Sequence, residues 1–361
     1  MSRIIPPKRG LYVDPVALAV DGKQQPVSID GGVGGAPVAL FSATTSALAA
    51  GQVQVLPIKT LQLGYRAACF IDEIRISAYS NAQLLASTNG GLTGIIAAKF
   101  DVGPHSFSGG NQTDANGFAA GFIPIGCYAP RWSYGPEEAG ATYAGIVEFG
   151  GGQNGYRTYA RVRWALPKPL YLGPGDVLRC SVQRHPTFAA NLDPLFTPDV
   201  SVQVAYIGRV VASGTPPPPM RQVPWVSYMQ KLSSEAVGSS NQEFRNPFTR
   251  PLMVQRFTWR SYREVKSGSY LFIELFGDGV PAVGSTYYES VQVEDSLGYR
   301  VTNDYVPIGY VFDPFRRAWT FSRPIGPREQ FNVKLSRSIA PAANNTFITN
   351  IGMVGYRDEV L

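Results

Sequence analysis

From residue 52 onward the chain alternates apolar and polar positions in short runs. "QVQVLPIKTLQL" sets Val53, Val55, Ile58, Leu61 and Leu63 at near period-two spacing, with Pro57 suited to an edge or a bulge. "CFIDEIRISAYS" repeats the pattern, Phe70, Ile74 and Ile76 alternating with charges. Strand-like runs continue through "GIIAAKFDV", "GFIPIGCYA", "YAGIVEF", "TYARVRWAL", "DVLRCSV" and "VSVQVAYIGRVV", each bounded by Gly or Pro. Two stretches read as short helices, "SNAQLLAST" at 80–88 and "YMQKLSSEAV" at 228–237. Many short, turn-bounded strands predict an all-β sandwich architecture over a parallel sheet.

The pattern divides the chain. Residues 1–51, with "DGGVGGAPVALFSATTSALAAGQ", carry few large apolar residues and no sustained period, which predicts an extended N-terminal arm held by the body or by neighbouring copies. A first domain follows at 52–213. Four consecutive prolines, Pro216 to Pro219, then fall within a linker at 214–224, where polyproline geometry gives a semi-rigid spacer. Strand signals restart in a second domain at 225–361, with "RPLMVQRFTWRSY", "YVPIGYVFD", "RAWTFSRPI" and "EQFNVKLSRS" among them.

One motif occurs in both domains. "WALPKPLYLGPGDVLRCSV" has Trp164 followed five residues later by Pro169, then Pro174 four residues before Leu178. "WTFSRPIGPREQFNVKL" has Trp319 followed five residues later by Pro324, then Pro327 four residues before Phe331. A two-residue difference between the paired prolines breaks the register. The order strand, Pro corner, strand, loop, terminal strand therefore occurs twice, which predicts tandem similar domains. The six residues Trp164, Pro169, Pro174, Trp319, Pro324 and Pro327 are expected to build a structural corner in each.

Composition agrees with the pattern. Gly (38), Pro (29), Tyr (19) and Phe (19) are abundant, and charged residues make up only 16%, as suits strands, turns and a surface covered by neighbours. The formal charge is +6, but the basic residues are dispersed, the densest groups being pairs such as Arg316-Arg317. Nucleic-acid contact is therefore a minor expectation, confined to the basic N-terminus around Lys8 and Arg9. Three cysteines, Cys69, Cys127 and Cys180, form no CxxC pair, which predicts free thiols and synthesis in a reducing compartment. His105 and His185 are too far apart to suggest a zinc site, and no cofactor is expected. Pro6, Pro7, Lys8 and Arg9 interrupt the first apolar run, and no stretch of 18 apolar residues occurs; neither a signal peptide nor a membrane-spanning segment is expected.

Candidate chemistry is sparse. "DGGVGGAP" and "FGGGQNGY" lack the Lys and Ser/Thr of a phosphate loop, and GxSxG, HExxH and EF-hand patterns are missing from the sequence. Cys180 lies five residues before His185, yet alternation groups it with Leu178 and Val182 on an apolar face, so a buried structural thiol is expected. Glu137, Glu138, Glu148, Glu274, Glu289 and Glu294 are carboxylates of the type that cleaves glycosides, but sequence does not pair any two of them. The aromatic loops "YAPRWSYGPEE" and "GSTYYES" suit sugar stacking or a protein interface. The interface reading ranks first, with Trp132, Tyr134, Tyr287, Tyr288, Arg316 and Arg317 as its candidate residues and no catalytic residue assigned.

On the paired Trp/Pro corners, the proline linker and the Gly/Ala-rich arm, the chain resembles the double jelly-roll capsid proteins of bacteriophages. The resemblance implies a non-enzymatic virion protein that assembles with copies of itself and other virion proteins, as trimers of two-domain subunits forming pseudo-hexagonal tiles. It also implies synthesis in the host cytoplasm and residence in the virion. A tailed-phage neck, collar or decoration protein is the alternative within that class. A carbohydrate-binding or glycan-cleaving β-sandwich protein is the alternative outside it.

Overall fold

The computed structural model of the chain describes residues 38–45, 47–56, 68–80, 92–108, 117–129, 158–186, 200–211, 216–232, 238–265, 271–275, 289–312, 318–337 and 345–360. The first half contributes β1 (Val38–Thr44), β2 (Val53–Leu56), β3 (Ala68–Ser80), β4 (Ile96–Val102), β5 (His105–Ser106), β6 (Ile123–Pro124), β7 (Thr158–Leu172), β8 (Leu178–Arg184) and β9 (Val200–Val211). A helical turn, α1 (Leu92–Ile95), precedes β4, and a 3-10 turn at Ile125–Cys127 follows β6. Among the described residues these strands form two antiparallel sheets, ordered β1-β9-β3-β7 and β2-β8-β4-β5, with β6 also on β4. Successive strands mostly switch from one sheet to the other, which is the wiring of a jelly roll.

The second half repeats that wiring. Its strands are β10 (Met220–Leu232), β11 (Gly238–Arg245), β12 (Leu252–Val265), β13 (Leu271–Leu275), β14 (Glu289–Asp295), β15 (Val306–Pro307), β16 (Ala318–Ile325), β17 (Gln330–Arg337) and β18 (Asn345–Val360), with a helical turn α2 at Ile308–Val311. One sheet runs β10-β18-β12-β13 with β16 also on β12; the other runs β11-β17-β14-β15. With β5 and β13 set aside, strand follows strand in the same order in both halves. The protein is all-β, two tandem jelly rolls in one chain.

Alternation fills each interior. Leu178, Cys180 and Val182 point into the first core, and Phe331, Val333 and Leu335 into the second, as the pleat of a half-buried strand requires. Trp164 is fully buried in a ring cluster with Phe100, Phe107 and Tyr128, and the Tyr128 hydroxyl donates to the Ala98 carbonyl at 2.6 Å. In the second core Trp319 stacks on Phe257, which also packs against Phe244 and Phe331. Cys180 and Val333 occupy the same place, facing Phe100 and Val293 on the neighbouring strand.

The registers explain the two-residue break in the sequence repeat. Glu73 faces Ala165 and Ile71 faces Leu170, so Asp72 alone is opposed by residues 166–169. In the second half Arg256 faces Thr320 and Val254 faces Arg323, so Gln255 is opposed by residues 321–322. Each half carries a bulge at this point, and the first bulge is two residues larger. Trp164 and Trp319 are thereby equivalent, facing Ile74 and Phe257. Pro169 and Pro324 are not equivalent: Pro169 sits inside the bulge, whereas Pro324 faces Met253, where the first half has Tyr171 facing Phe70. Their shared spacing from tryptophan is a coincidence of unequal bulges.

After the bulges the two chains come back into step. Residues 173–176, Gly-Pro-Gly-Asp, and 326–329, Gly-Pro-Arg-Glu, make the same turn, with Pro at its second position and positive φ at its third, +86° at Gly175 and +65° at Arg328. The fourth residue closes both turns. Asp176 N–H donates to the Gly173 carbonyl and Glu329 N–H to the Gly326 carbonyl, each at 3.1 Å. The Asp176 carboxylate accepts Gly173 N–H at 2.8 Å, and the Glu329 carboxylate accepts Gly326 N–H at 2.7 Å. Pro174 and Pro327 are thus equivalent corner residues, both exposed.

Three stretches depart from the sequence pattern. Tyr228 to Leu232, expected as the start of a helix, is the end of β10; Tyr228 and Met229 are both buried, on opposite faces, and an apolar residue on each face hides the period of two. Residues 81–88, the other expected helix, lie outside the described residues, as do residues 1–37 of the expected arm. Val38–Thr44 forms β1 at the edge of the first sheet, antiparallel to β9. Within the expected linker, Pro216 to Pro219 have no regular structure, and β10 begins at Met220 and carries Pro224 opposite Tyr356. A proline is tolerated there because β10 is an edge strand.

Candidate assembly surfaces

The two jelly rolls are joined by an apolar, hydrogen-bonded junction. The sheet formed by β10, β18 and β12 is buried on both faces. Trp225, Met229, Phe257, Trp259, Ile351 and Met353 face the second core, while Val223, Val226, Tyr228, Tyr262, Ile348 and Val354 extend the core of the first half. Each fully buried aliphatic side chain of this kind contributes about 1.5–3 kcal/mol, which makes the junction part of the fold and not a loose domain contact.

Polar groups of the second half cap exposed carbonyls of the first. Thr258 Oγ1 donates to the Cys127 carbonyl at 2.8 Å and Arg260 Nε to the Gly126 carbonyl at 3.3 Å, both in the 3-10 turn. Val226 N–H donates to the Phe107 carbonyl at 2.7 Å, where Ser108 makes a parallel bridge to Val226. Arg357 reaches the Ser106 carbonyl at 3.3 Å, Arg256 the Ala165 carbonyl at 3.1 Å and Gln255 the Pro167 carbonyl at 3.3 Å. The Thr93 and Tyr262 hydroxyls bond at 2.9 Å. Arg221, from β10, pairs with Asp176 in the first corner turn. Desolvation in the junction lowers the Arg256 guanidinium to a pKa of about 10.

Glycines set the closeness of the contact. A Cβ at Gly352 would stand 2.5 Å from both the Cys127 carbonyl oxygen and Thr258 Oγ1, and one at Gly94 would stand 2.8 Å from the Tyr262 ring. The turn that receives these contacts is itself repeated. Pro124 and Pro307 open the helical turns at Ile125–Cys127 and Ile308–Val311 with matching dihedrals, φ near −50° and ψ near 132°. They face Ala97 and Ser290, which correspond through Phe100 and Val293, and Ile125 and Ile308 are buried beneath them.

Equivalent surfaces elsewhere are open. On the first half, the outer face of β1-β9-β3 corresponds to the junction face of β10-β18-β12, and it carries charged and polar side chains around Ala205 and Ile207. Glu73 is buried between Arg75 and Arg163, whose side chains are 43% and 44% exposed. Asp72 pairs with Arg209 at 3.7 Å, and Arg209 also lies over the Phe70 ring. On the second half, the hairpin after β14 corresponds to the one after β4 that carries Ser106, Phe107 and Ser108: Val301 N–H donates to the Val293 carbonyl at 2.7 Å as Phe107 N–H donates to the Phe100 carbonyl at 2.9 Å. This hairpin presents Leu297, 73% exposed, and Tyr299, 65% exposed, with Tyr305 beside it in sequence. Its shape is fixed from within, because the Asp295 carboxylate accepts the N–H groups of Leu297 at 3.0 Å and Tyr299 at 2.9 Å.

The residues expected to form an interface, Trp132, Tyr134, Tyr287, Tyr288, Arg316 and Arg317, all lie outside the described residues. Of the corner residues, Trp164 and Trp319 belong to the two cores, Pro174 and Pro327 to the two turns, and Pro169 and Pro324 to unrelated strand positions. The three cysteines are buried and unpaired by disulfide; burial raises every thiol, Cys69 to about 12, with Asp176 and Asp72 adding to the shift. Cys180 is therefore a core residue. Among the described residues no group of three His, Cys, Asp or Glu side chains is placed to hold a metal ion, and no helix is long and apolar enough to cross a membrane. Thr258, Arg260, Tyr262 and Gly352 were not legible as contact residues. The signal for a sheet covered on both sides was "VPWVSYM", with Val226 and Tyr228 on the face opposite Trp225 and Met229.

No protein-family model and no curated protein sequence matches the chain. Solved structures similar to it include the PBCV-1 protein VP54 fitted into the virophage Sputnik, at 10% identity and a TM-score of 0.44, covering 88% of this chain and 94% of that one. The major capsid protein from bacteriophage PM2 is similar at 9% identity and a TM-score of 0.33, with 89% of this chain and 100% of the other covered. PNGF-II is similar at 10% identity and a TM-score of 0.34, with 86% and 60% covered. The fold assignment rests on the strand order and registers of this chain.

Proposed function

We propose that this protein is a non-enzymatic structural component of a virus particle, a capsid building block in which two jelly rolls act as one rigid tile. The observation that carries the reading is the junction: a sheet buried on both faces fixes one sandwich against the other, so the chain offers neighbours a preset shape. A rigid block with large preformed surfaces associates without the ordering cost that flexible linkage imposes. The finer reading is a bacteriophage major capsid protein, made in the host cytoplasm and assembled into the virion as trimeric tiles with other virion proteins. The N-terminal arm orders against neighbours as they meet.

Electron microscopy of the purified full-length protein tests this. Shells, or flat tiles with a pseudo-hexagonal outline, are the expected particles. A dispersed monomer that binds or cleaves glycans overturns the reading, and closed rings of fixed copy number replace the tile by a neck or collar component.

A further inference from the structure

We infer that the proline run Pro216 to Pro219 is a docking strip for a separate protein domain whose groove is lined with tryptophan and tyrosine rings. The inference goes beyond the assembly reading and rests on a different segment. Val210 to Met220 carry no charge, and the four prolines stand directly before Met220, where β10 begins. Each proline ring holds φ near −65° and restricts the residue before it to extended ψ, so such a run takes up the polyproline helix, with about three residues per turn. That period places Pro216 and Pro219 on one edge and Pro217 and Pro218 on the other two. Exposure follows the same division: Pro216, Pro217 and Pro219 are exposed, and Pro218 is half-buried. The run turns one edge to its own body and shows two to solvent.

The chemistry of the strip selects its reader. Proline has no N–H, so the run offers apolar rings and carbonyl acceptors but no backbone donors. The apolar surface continues past it: Met220 is 48% exposed and faces Val360, 61% exposed, across the β10–β18 ladder. Arg221, the cation nearest the prolines in the chain, is 7% exposed and held by Asp176 of the first corner turn. It therefore ties the downstream end of the strip to the body and is withheld from a partner's carboxylate. A groove that demands a basic residue beside the prolines does not fit this surface. A groove of parallel aromatic rings does, because it seats proline rings in its slots while indole N–H and phenol O–H groups donate to the carbonyls between them. The strip is preformed, so docking removes little conformational freedom.

The test is a titration of the full-length protein into two isotopically labelled probes, a WW domain and an EVH1 domain, followed by nuclear magnetic resonance of the probe. Saturable shifts confined to the aromatic groove of at least one probe are expected, and a short poly-L-proline peptide should reverse them. The double variant Pro216→Ala, Pro219→Ala removes one exposed edge and is expected to weaken binding at least about tenfold, whereas Pro218→Ala, on the edge turned to the body, should stay within about threefold of the parent. Far-ultraviolet circular dichroism checks that each variant keeps the parent fold, and the peptide competition needs no variant at all. The inference is overturned if neither probe shows saturable binding, if the peptide fails to compete, or if Pro218→Ala weakens binding as much as the double variant. A double variant that binds like the parent overturns it too.

Discussion

The face of β10-β18-β12 that meets the first jelly roll and the outer face of β1-β9-β3 have the same strand order, and β12 on β18 repeats the register of β3 on β9, yet the first is the more deeply buried. Thr258, Arg260 and Asn350 are at most 3% exposed, whereas Arg75 and Ser77 are half-buried and Gln203 is exposed. At the centre stand Gly352 and Ala205, the first with no room for a methyl group and the second already carrying one. The backbone is indifferent to which fate a face meets; the side chains are chosen for the cover. Where carbonyls of another element arrive, short or extended donors meet them, and on the outer face of the first half two arginines share a buried carboxylate.

The sharpest way to break the comparison is to place the same side chain on both faces. Gly352→Val drives carbon into the Cys127 carbonyl and Thr258 and is expected to cost about 3 kcal/mol, read as a fall in stability in denaturant unfolding. Ala205→Val, at the corresponding site, is expected to change stability by about 0.5 kcal/mol or less in the monomer. Equal losses would show that the first face is as tightly covered as the second. Thiol labelling at pH 8 sharpens the result: burial raises all three thiols, so little thiolate forms in the parent, and Gly352→Val should speed modification of Cys127 ahead of Cys180.

A smaller difference is expected between the two corner turns. Asp176 binds Gly173 N–H and also Arg221, whose side chain is 9% exposed, while Glu329, among the described residues, binds only its own turn on an exposed surface. Asp176→Ala leaves a buried guanidinium unpaired and is expected to cost about 2 kcal/mol. Glu329→Ala should cost about 0.5 kcal/mol. If chemical denaturation gives the same loss for both, the Arg221 contact does not hold the halves together.

The duplication was legible because alternation and turn residues survive divergence. Gly-Pro-x-acid at 173–176 and 326–329 keeps its chemistry, since the turn demands Pro before a positive φ and a carboxylate to close it. The bulges were not legible: residues 166–169 against Asp72 change register without leaving a period, and they made Pro169 and Pro324 look paired. A second repeat, Ile123-Pro124-Ile125-Gly126 against Val306-Pro307-Ile308-Gly309, is not legible by alternation, because both copies pass for ordinary strands. Nor does sequence separate a core apolar residue from Leu297 and Tyr299, because exposure depends on which elements arrive overhead. The strand ending at Tyr228 to Leu232 reads as a helix in sequence for the same reason, a second body covering its outer face.

The smallest effect tests the turns alone. Gly175 and Arg328 occupy the same position with φ of +86° and +65°, and a Cβ at Gly175 would meet nothing within 4 Å, so packing does not enter there. Only backbone preference remains. Gly175→Ala should therefore cost about 1 kcal/mol, the left-handed penalty of an L-residue less the gain from a stiffer unfolded chain. Arg328→Gly exchanges the same two quantities in the opposite direction and should stabilise by about 0.5 kcal/mol, less because its φ is nearer the left-handed minimum. Thermal unfolding of the two variants side by side decides it: opposite signs show that one turn geometry serves both jelly rolls, and a destabilised Arg328→Gly would mean that the arginine side chain, not the turn, holds the second corner.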